Sequence, residues 1–265
     1  MQFGPSGVHM EPIMNTTQLS EAQWQSLWDD LARIMDKIGA AVNRSPIKHT
    51  AATKALHLLS NRMVKTMNSL LILCEDAQHD FAFDGMTLLR TIYDLHLQAL
   101  YILRDPKIRE QRATMYFDFE WVEKDRFRRM IDSNPTAFAR TLRTSAKRAA
   151  AEPVLDRELG RAGPQFRQRD GKEYRRTWYP GKLRDLAKAA GVEAEYQIVQ
   201  PTLSAAVHSS PFAMRCGPMV EPRMMLLMSF HFLFRVVGQI AEMHGIQLTD
   251  EQRILIEHSN RSFYT

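Results

Sequence analysis

The sequence predicts an all-α protein, a bundle of about nine helices with one long, basic, irregular loop. Apolar residues recur at spacings of three and four over most of the 265 residues, which is the period of a helix that buries one face. Alternation with period two and hairpin turn signals between apolar runs are both missing. With only 12 Gly and 12 Pro, we expect long helices and few turns.

The first half of the chain predicts four helices. The first follows the cap Ser20, which has capping-box spacing to Gln23, and the second starts with Ser45 as cap and Pro46 at its first position. We expect the third between Asp84 and about residue 105, because a proline follows there. The fourth begins with that proline at its first position and ends at "DSNP".

The second half begins with a weak, basic, Ala-rich helix over about 135–150. The stretch 160–182 has no helical period and is the irregular loop. A short helix then ends at Gly191, the C′ position, and another surrounds Pro201. The final helix, "TDEQRILIEHSN", has Thr249 as its cap.

The most apolar helix is predicted over 222–245. Its apolar run is interrupted by His231 and Arg235 and is shorter than the roughly 20 residues of a membrane span. We therefore expect a central core helix and no membrane contact, with a homo-oligomer interface along 223–244 as an alternative use of its apolar surface. The residues expected to be buried are Met225, Leu226, Phe230, Leu233 and Val237.

The expected organisation is a flexible lead-in over 1–16 and a single helical domain over 17–265, with a basic, partly mobile insertion at 140–180. Cys74 and Cys216 form no metal or redox motif, and together with an N-terminus that lacks a basic, apolar leader they favour a cytoplasmic protein with reduced thiols. No cofactor is expected, and no metal site is expected, because the histidines show no ligand spacing.

Positive charge is concentrated in one segment. Residues 140–176 hold 11 Lys and Arg against 5 Asp and Glu, whereas the whole chain has a net charge of +5. Such a segment attracts RNA or another phosphate-bearing ligand. The alternative, a solvated surface, is favoured because few aromatic residues are interleaved with the charges.

Polar residues stand out on two otherwise apolar helices. Arg90 and Asp94 lie four residues apart and therefore on one helix face, as do Ser204 and His208. Buried polar groups are nearly always hydrogen-bonded, so we expect the four to form one network in which the His208 imidazole contacts Asp94 directly or through water. The Ser–His pair also fits nucleophilic catalysis, but no nucleophile-elbow motif accompanies it, and a structural histidine is the favoured interpretation.

The irregular loop ends in "TWYPGK". Trp178 and Tyr179 either close over a pocket or fasten the loop to the core, and the sequence does not choose between the two. The residues expected to bind a ligand beside the network are Trp178, Tyr179, Tyr196, Arg175 and Arg176.

Three short motifs resemble a family of bacterial all-helical proteins known only as a domain of unknown function. They are "RTIYD" at 90–94, "TWYPGK" at 177–182 and, after Tyr196, "LSAAVH" at 203–208. The family pattern has an Arg-x-x-x-acid helix, a Trp-x-Gly segment and a helix ending in Ser-x-x-x-His. Here Asp94 replaces the usual Glu, and Pro180 lengthens the Trp-to-Gly spacing. The resemblance covers about residues 80–215 and implies a helical fold with a shared polar site, but no reaction.

The sequence also invites comparison with the HEPN ribonucleases of toxin and phage-defence systems, whose signature is an Arg followed by a His after four to six residues. That spacing occurs at 44–49, 90–96 and 253–258, and the composition alone predicts about 2.5 such pairs. The matches therefore carry no weight. Arg90 and His96 also differ by about 120° in helical rotation, so they do not converge.

Two functions remain open. The favoured one is a binding or interaction module whose Arg90, Asp94, Ser204 and His208 form a structural network or a small-ligand pocket. The alternative is a metal-independent ribonuclease-like hydrolase in which His208 is the general base and Arg90 stabilises phosphate charge. In that case the basic segment at 140–176 attracts the nucleic acid.

Overall fold

The structure is a computed structural model that describes residues 20–44, 50–75, 81–134, 136, 152–168, 170–171, 173–208, 220–250, 252–254 and 257. Within these residues it contains eight α-helices, one 3-10 helix and no strand. The nearest feature to a sheet is an isolated antiparallel bridge between Arg167 and Tyr174. The all-α prediction is confirmed.

The helices of the described residues have the following bounds. In the first half of the chain the helices are α1 (Glu21–Arg44), α2 (Ala51–Glu75), α3 (Ala82–Leu103) and α4 (Arg109–Ser133). In the second half they are α5 (Glu152–Ala162), the 3-10 helix η1 (Gly163–Phe166), α6 (Leu183–Ala190), α7 (Glu193–Val207) and α8 (Pro222–Met243).

Two predicted helix starts are wrong or unsupported. The expected cap at Ser45 lies outside the described residues, and the described α2 begins at Ala51, where the Thr50 hydroxyl accepts the Thr53 N–H at 3.2 Å. The start of α4 at the proline after Asp105 is wrong by three residues. The Asp105 carboxylate accepts the N–H of Lys107 at 2.9 Å, which holds the chain in a turn before α4 begins.

The basic segment is more regular than predicted where the structure describes it. Helix α5 and η1 occupy 152–166, which the sequence analysis did not assign to helix. The predicted weak helix over 135–150 lies outside the described residues, apart from Thr136. Two predicted helix ends are confirmed: Gly191 follows α6 with φ of 81°, and Thr249 exchanges hydrogen bonds with Gln252 at 3.1 and 3.3 Å.

The chain divides into two compact units. Unit 1 contains residues 1–48, 58–100 and 194–265, and unit 2 contains 49–57 and 101–193. The chain thus passes from one unit to the other several times. The expected single helical domain over 17–265 stays a prediction.

Unit 1 has α8 at its centre. All five residues expected to be buried on this helix are at most 6% exposed, so that prediction is confirmed. A Cβ on Gly85 of α3 would lie 2.9 Å from Met225 Sδ and 3.2 Å from Leu70 Cδ1, which shows how closely α2, α3 and α8 pack.

Helix α8 is also the one described helix that is long and apolar enough to cross a membrane, and 72% of its most apolar window is buried inside the protein. Such burial is typical of a core helix. It also occupies the apolar surface on which an oligomer interface along 223–244 would depend, and that interface stays a prediction.

Unit 2 is built on α4, α5 and η1. Phe119 of α4 packs edge-on against Phe166 of η1, with ring centroids 5.2 Å apart. The Trp178 ring lies 5.5 Å from the rings of Tyr101 and Tyr116. Trp178 and Tyr179 are both buried, which favours the interpretation that they fasten the loop to the core.

Candidate functional site

A partly buried polar site lies between α3 and α7, both within unit 1 at this point. Arg90 Nε donates to Asp94 Oδ1 at 3.0 Å, as their four-residue spacing predicts, and the two side chains are 15% and 37% exposed. Arg90 Nη1 also donates to Ser204 Oγ at 2.8 Å and to the Gln200 carbonyl at 3.3 Å. The guanidinium therefore connects the two helices.

Ser204 is hydrogen-bonded from two directions. Besides the bond from Arg90, its Oγ accepts the Gln200 Nε2 amide at 2.7 Å. A hydroxyl has two acceptor lone pairs and one hydrogen, so both lone pairs are engaged. The hydroxyl hydrogen has no acceptor among the residues that the structure describes.

No hydrogen bond or ion pair joins His208 to Asp94, so a direct contact between them is not formed. His208 follows the last residue of α7 and is exposed, and its ring makes no hydrogen bond or ion pair with any described residue. Four residues past Ser204, it lies about 6 Å farther along the helix axis. Asp94 Oδ1 accepts a hydrogen bond from Arg90 Nε instead. The structure thus brings together Arg90, Asp94 and Ser204 of the predicted network, without His208.

A second polar cluster, which the sequence analysis missed, is buried beside the same helices. Glu195 of α7 accepts a hydrogen bond of 2.6 Å from Arg235 Nη1 of α8. Its carboxylate oxygens lie 3.5 Å from His96 Nε2 and 3.7 Å from His231 Nε2. All four side chains are less than a tenth exposed, so we call them the buried cluster.

The buried cluster is close to charge-balanced. Burial by itself would raise the pKa of Glu195, but the neighbouring His231 and His96 and the charge of Arg235 outweigh burial and hold that pKa well below its usual value. Burial lowers the pKa of His96 and of His231. At neutral pH one carboxylate therefore faces one guanidinium and two neutral imidazoles.

Hydrogen bonding fixes the orientation of His96. Its Nδ1 lies 3.0 Å from the Phe232 carbonyl oxygen, and a carbonyl can only accept, so Nδ1 carries a hydrogen. The ring also packs against Phe232 at 4.9 Å and Tyr93 at 6.1 Å between centroids. The imidazole is thus held in a single orientation within the core.

Tyr93 lies on α3 one turn after Arg90 and is fully buried. Its hydroxyl makes no hydrogen bond with the described residues. Burial raises the pKa of Tyr93, as do the charges of Glu195 and Asp94, while that of Arg90 lowers it. The phenol therefore interacts electrostatically with both the buried cluster and the Arg90 site.

One signal could have revealed the buried cluster. His231 and Arg235 interrupt the most apolar helix of the sequence, and a buried guanidinium requires an acidic partner. Nothing in the sequence selects Glu195 over other acids, because α7 and α8 meet only in the folded protein. His96 and Arg90 have different partners, as their difference in helical rotation predicts.

The expected ligand-binding residues are placed as follows. Tyr196 is half-buried on α7, one residue after Glu195. In unit 2, Trp178 and Tyr179 are buried, Arg175 is half-buried over the Phe166 ring, and Arg176 is exposed. Among the described residues no group of three or more His, Cys, Asp and Glu side chains is arranged to hold a metal ion.

Comparison with known proteins identifies a family but no function. A family of unknown function, DUF5677, matches residues 53–217, which is more than half of the chain. The chain therefore belongs to this family, and the resemblance noted from the sequence is confirmed. The match also includes most of α2, ahead of the motifs that carried the resemblance. No curated protein and no solved structure matches the chain.

Proposed function

We propose that this member of the DUF5677 family is a helical binding module, and that the site between α3 and α7 binds a small ligand or peptide group through a hydrogen-bond acceptor such as a carboxylate. The observation that carries the proposal is the state of Ser204, whose Oγ accepts hydrogen bonds from both Arg90 and Gln200. The hydroxyl is left as a donor and not as a nucleophile.

Catalysis by Ser204 or His208 lacks support in this geometry. A serine nucleophile needs a free lone pair and a base that takes its hydrogen. Both lone pairs of Ser204 are engaged, and the His208 ring makes no hydrogen bond with a described residue.

The site offers donors that remain open to a ligand. Arg90 Nη2 makes no hydrogen bond with the described residues, and the Ser204 hydroxyl hydrogen is likewise unused there. Both belong to partly exposed side chains. A carboxylate or carbonyl oxygen is the complementary acceptor, and a charge-assisted bond to a guanidinium is stronger than a neutral one.

The buried cluster contacts the same two helices, α3 and α7, that carry the Arg90 site. Glu195 and Ser204 lie on the same helix, and Glu195 joins α7 to Arg235 of α8 and lies beside His96 of α3. Side-chain orientation at a binding site depends on such supporting contacts. We therefore assign the buried cluster a positioning role.

The test uses the full chain labelled with ¹⁵N and acetate as the carboxylate probe. We expect acetate to shift the amide signals around Arg90 and Ser204, and to leave them unchanged in Arg90→Gln. Arg223→Gln, which removes an exposed arginine from the start of α8, is the matched control and should respond like the wild type. Acetate shifts that are absent, or that persist in Arg90→Gln, would rule out the binding site.

A second assay separates binding from hydrolysis. Purified protein is incubated with labelled total RNA in EDTA beside His208→Ala. We expect the same background cleavage from both. Cleavage by the wild type that His208→Ala abolishes would replace the binding module with the ribonuclease-like hydrolase.

A further inference from the structure

Charge is divided unevenly between the two units. Unit 2 contains 23 Lys and Arg against 14 Asp and Glu, whereas unit 1 contains 12 against 16. Their net charges are thus +9 and −4. A body with this excess of positive charge attracts polyanions over several ångströms.

Arg126 of α4 is held by main-chain oxygens. It donates from Nη2 to the carbonyls of Tyr174 and Arg175 and from Nη1 to that of Arg176. Carbonyl oxygens are neutral, so these bonds fix the guanidinium without cancelling its charge. The turn that follows η1 is thereby fastened to α4.

Two more arginines of this turn are supported in the same way. Arg167 donates to the Gly171 carbonyl at 2.7 Å and lies over the Tyr174 ring at 5.0 Å. Arg175 donates to the Gln165 carbonyl at 3.2 Å and lies over the Phe166 ring at 5.3 Å. Cation–π contacts orient a guanidinium and, like carbonyls, leave it positively charged. We call Arg126, Arg167, Arg175 and Arg176 the arginine turn.

Several other arginines of unit 2 pair with acids, whereas Arg109 and Arg112 donate to the carbonyls of Leu103 and Tyr101. Arg128 and Arg129 pair with Asp125, and Arg161 pairs with Asp118. Arg184 pairs with Glu193. The arginine turn makes no such pair with a described residue, and the side chain of Arg176 is exposed. Between 166 and 176 the sequence holds five basic and two acidic residues.

We infer that the arginine turn is a binding surface for the phosphate backbone of a nucleic acid. In the sequence, the scarcity of aromatic residues among the charges favours a solvated surface. The structure places an aromatic ring beneath both Arg167 and Arg175. Preoriented guanidiniums suit phosphate, since little side-chain entropy is lost when the contact forms.

The positions of the aromatic rings in the arginine turn indicate how a nucleic acid would be recognised. Phe166 is fully buried, and the Tyr174 ring is covered by Arg167, so these rings do not present faces on which bases stack. Binding is therefore electrostatic, independent of sequence and weakened by salt. An extended nucleic acid matches the excess of +9 spread over unit 2 better than a single acidic side chain. The inference does not depend on the site between α3 and α7.

The experiment measures fluorescence anisotropy of a labelled single-stranded RNA of about 20 nucleotides and mixed sequence. The wild type is titrated between about 50 and 200 mM salt. In the Arg167→Gln/Arg176→Gln double variant we expect affinity to fall about tenfold at low salt. The slope of log K against log salt should fall in magnitude by about 1.4, since each single-strand phosphate contact contributes about 0.7.

Two control variants distinguish binding by the arginine turn from attraction by the overall positive charge of unit 2. Arg184→Gln removes one positive charge from the same unit, but from an arginine that pairs with Glu193, and should bind RNA like the wild type. Arg176→Gln alone removes a side chain without a described partner, so it should fold normally and lower the slope by about 0.7. Circular dichroism checks the fold of each variant.

Three outcomes overturn the inference. The first is no RNA binding by the wild type at low salt. The second is an unchanged slope in the double variant, or an equal loss in Arg184→Gln. The third is displacement of the RNA by polyglutamate at equal charge concentration, which would assign the surface to an acidic protein. None of these results bears on acetate binding at Arg90.

Discussion

Arg235 Nη1 lies 2.6 Å from Glu195 Oε2, and both side chains are almost completely removed from solvent. This pair joins α8 to α7 inside the core, with His96 and His231 beside it. A buried ion pair adds little stability compared with an apolar pair of the same size, but losing one partner strands the other. The contact therefore joins the two helices but is not a source of net stability.

Glu195→Gln tests this relationship. The variant keeps the volume of the side chain but leaves Arg235 as an uncompensated buried cation, so we expect a loss of about 3–5 kcal/mol of unfolding free energy. Urea denaturation measures it. Glu193→Gln, which removes the partly exposed partner of Arg184, should cost less than about 1 kcal/mol. Equal losses in the two variants would mean that burial of the pair has no energetic consequence.

Stability should fall in mild acid. His96 and His231 have lowered pKa values in the folded protein because of burial. The unfolded chain therefore binds more protons once the pH falls below about 6.5, the usual pKa of histidine. The loss is at most about 1.4 kcal/mol per pH unit for each histidine.

The pKa of Glu195 is also lowered, so its contribution is present above about pH 4.5 and is lost as the pH falls further. Urea unfolding across this range, compared with His231→Gln, measures the effect. A stability that is flat from pH 7.5 to 5, or that rises toward acid, contradicts the assignment of neutral buried imidazoles.

Loss of Arg90 should cost more than loss of Asp94. Arg90→Ala removes the bonds to Asp94, Ser204 and Gln200 together and should cost about 1–3 kcal/mol. Asp94 is 37% exposed, so Asp94→Ala should cost less than about 1 kcal/mol. Thermal and urea unfolding of the two variants decide the order.

Leu233→Ala tests the central position of α8. Leu233 is fully buried, and removing its side chain should cost about 2–5 kcal/mol through lost burial and a residual cavity. Ile198→Ala on α7 is the control, because Ile198 is 71% exposed, and it should cost less than about 0.5 kcal/mol. A small effect at Leu233 would place α8 at the periphery.

Much of the fold followed from local information in the sequence. The period of apolar residues located most of the helices, although not α5, and the pairing of Arg90 with Asp94 followed from their spacing, since one helix fixes both. Gly191 and Thr249 marked helix boundaries for equally local reasons. The start of α4 was misplaced because the Asp105 turn competes with a proline at the first helical position.

Contacts between helices were decided by the tertiary structure alone. The sequence showed that His231 and Arg235 interrupt an apolar helix, but only the packing of α7 against α8 identifies Glu195 as the partner. The hydrogen bond from Arg90 to Ser204 joins residues that are 114 positions apart in the sequence. His208 was expected beside Asp94 because its ring needs partners, yet at the end of α7 it is exposed, so solvent supplies them. Helical period fixes which residues share a face, whereas the approach of two faces depends on how all the helices pack together.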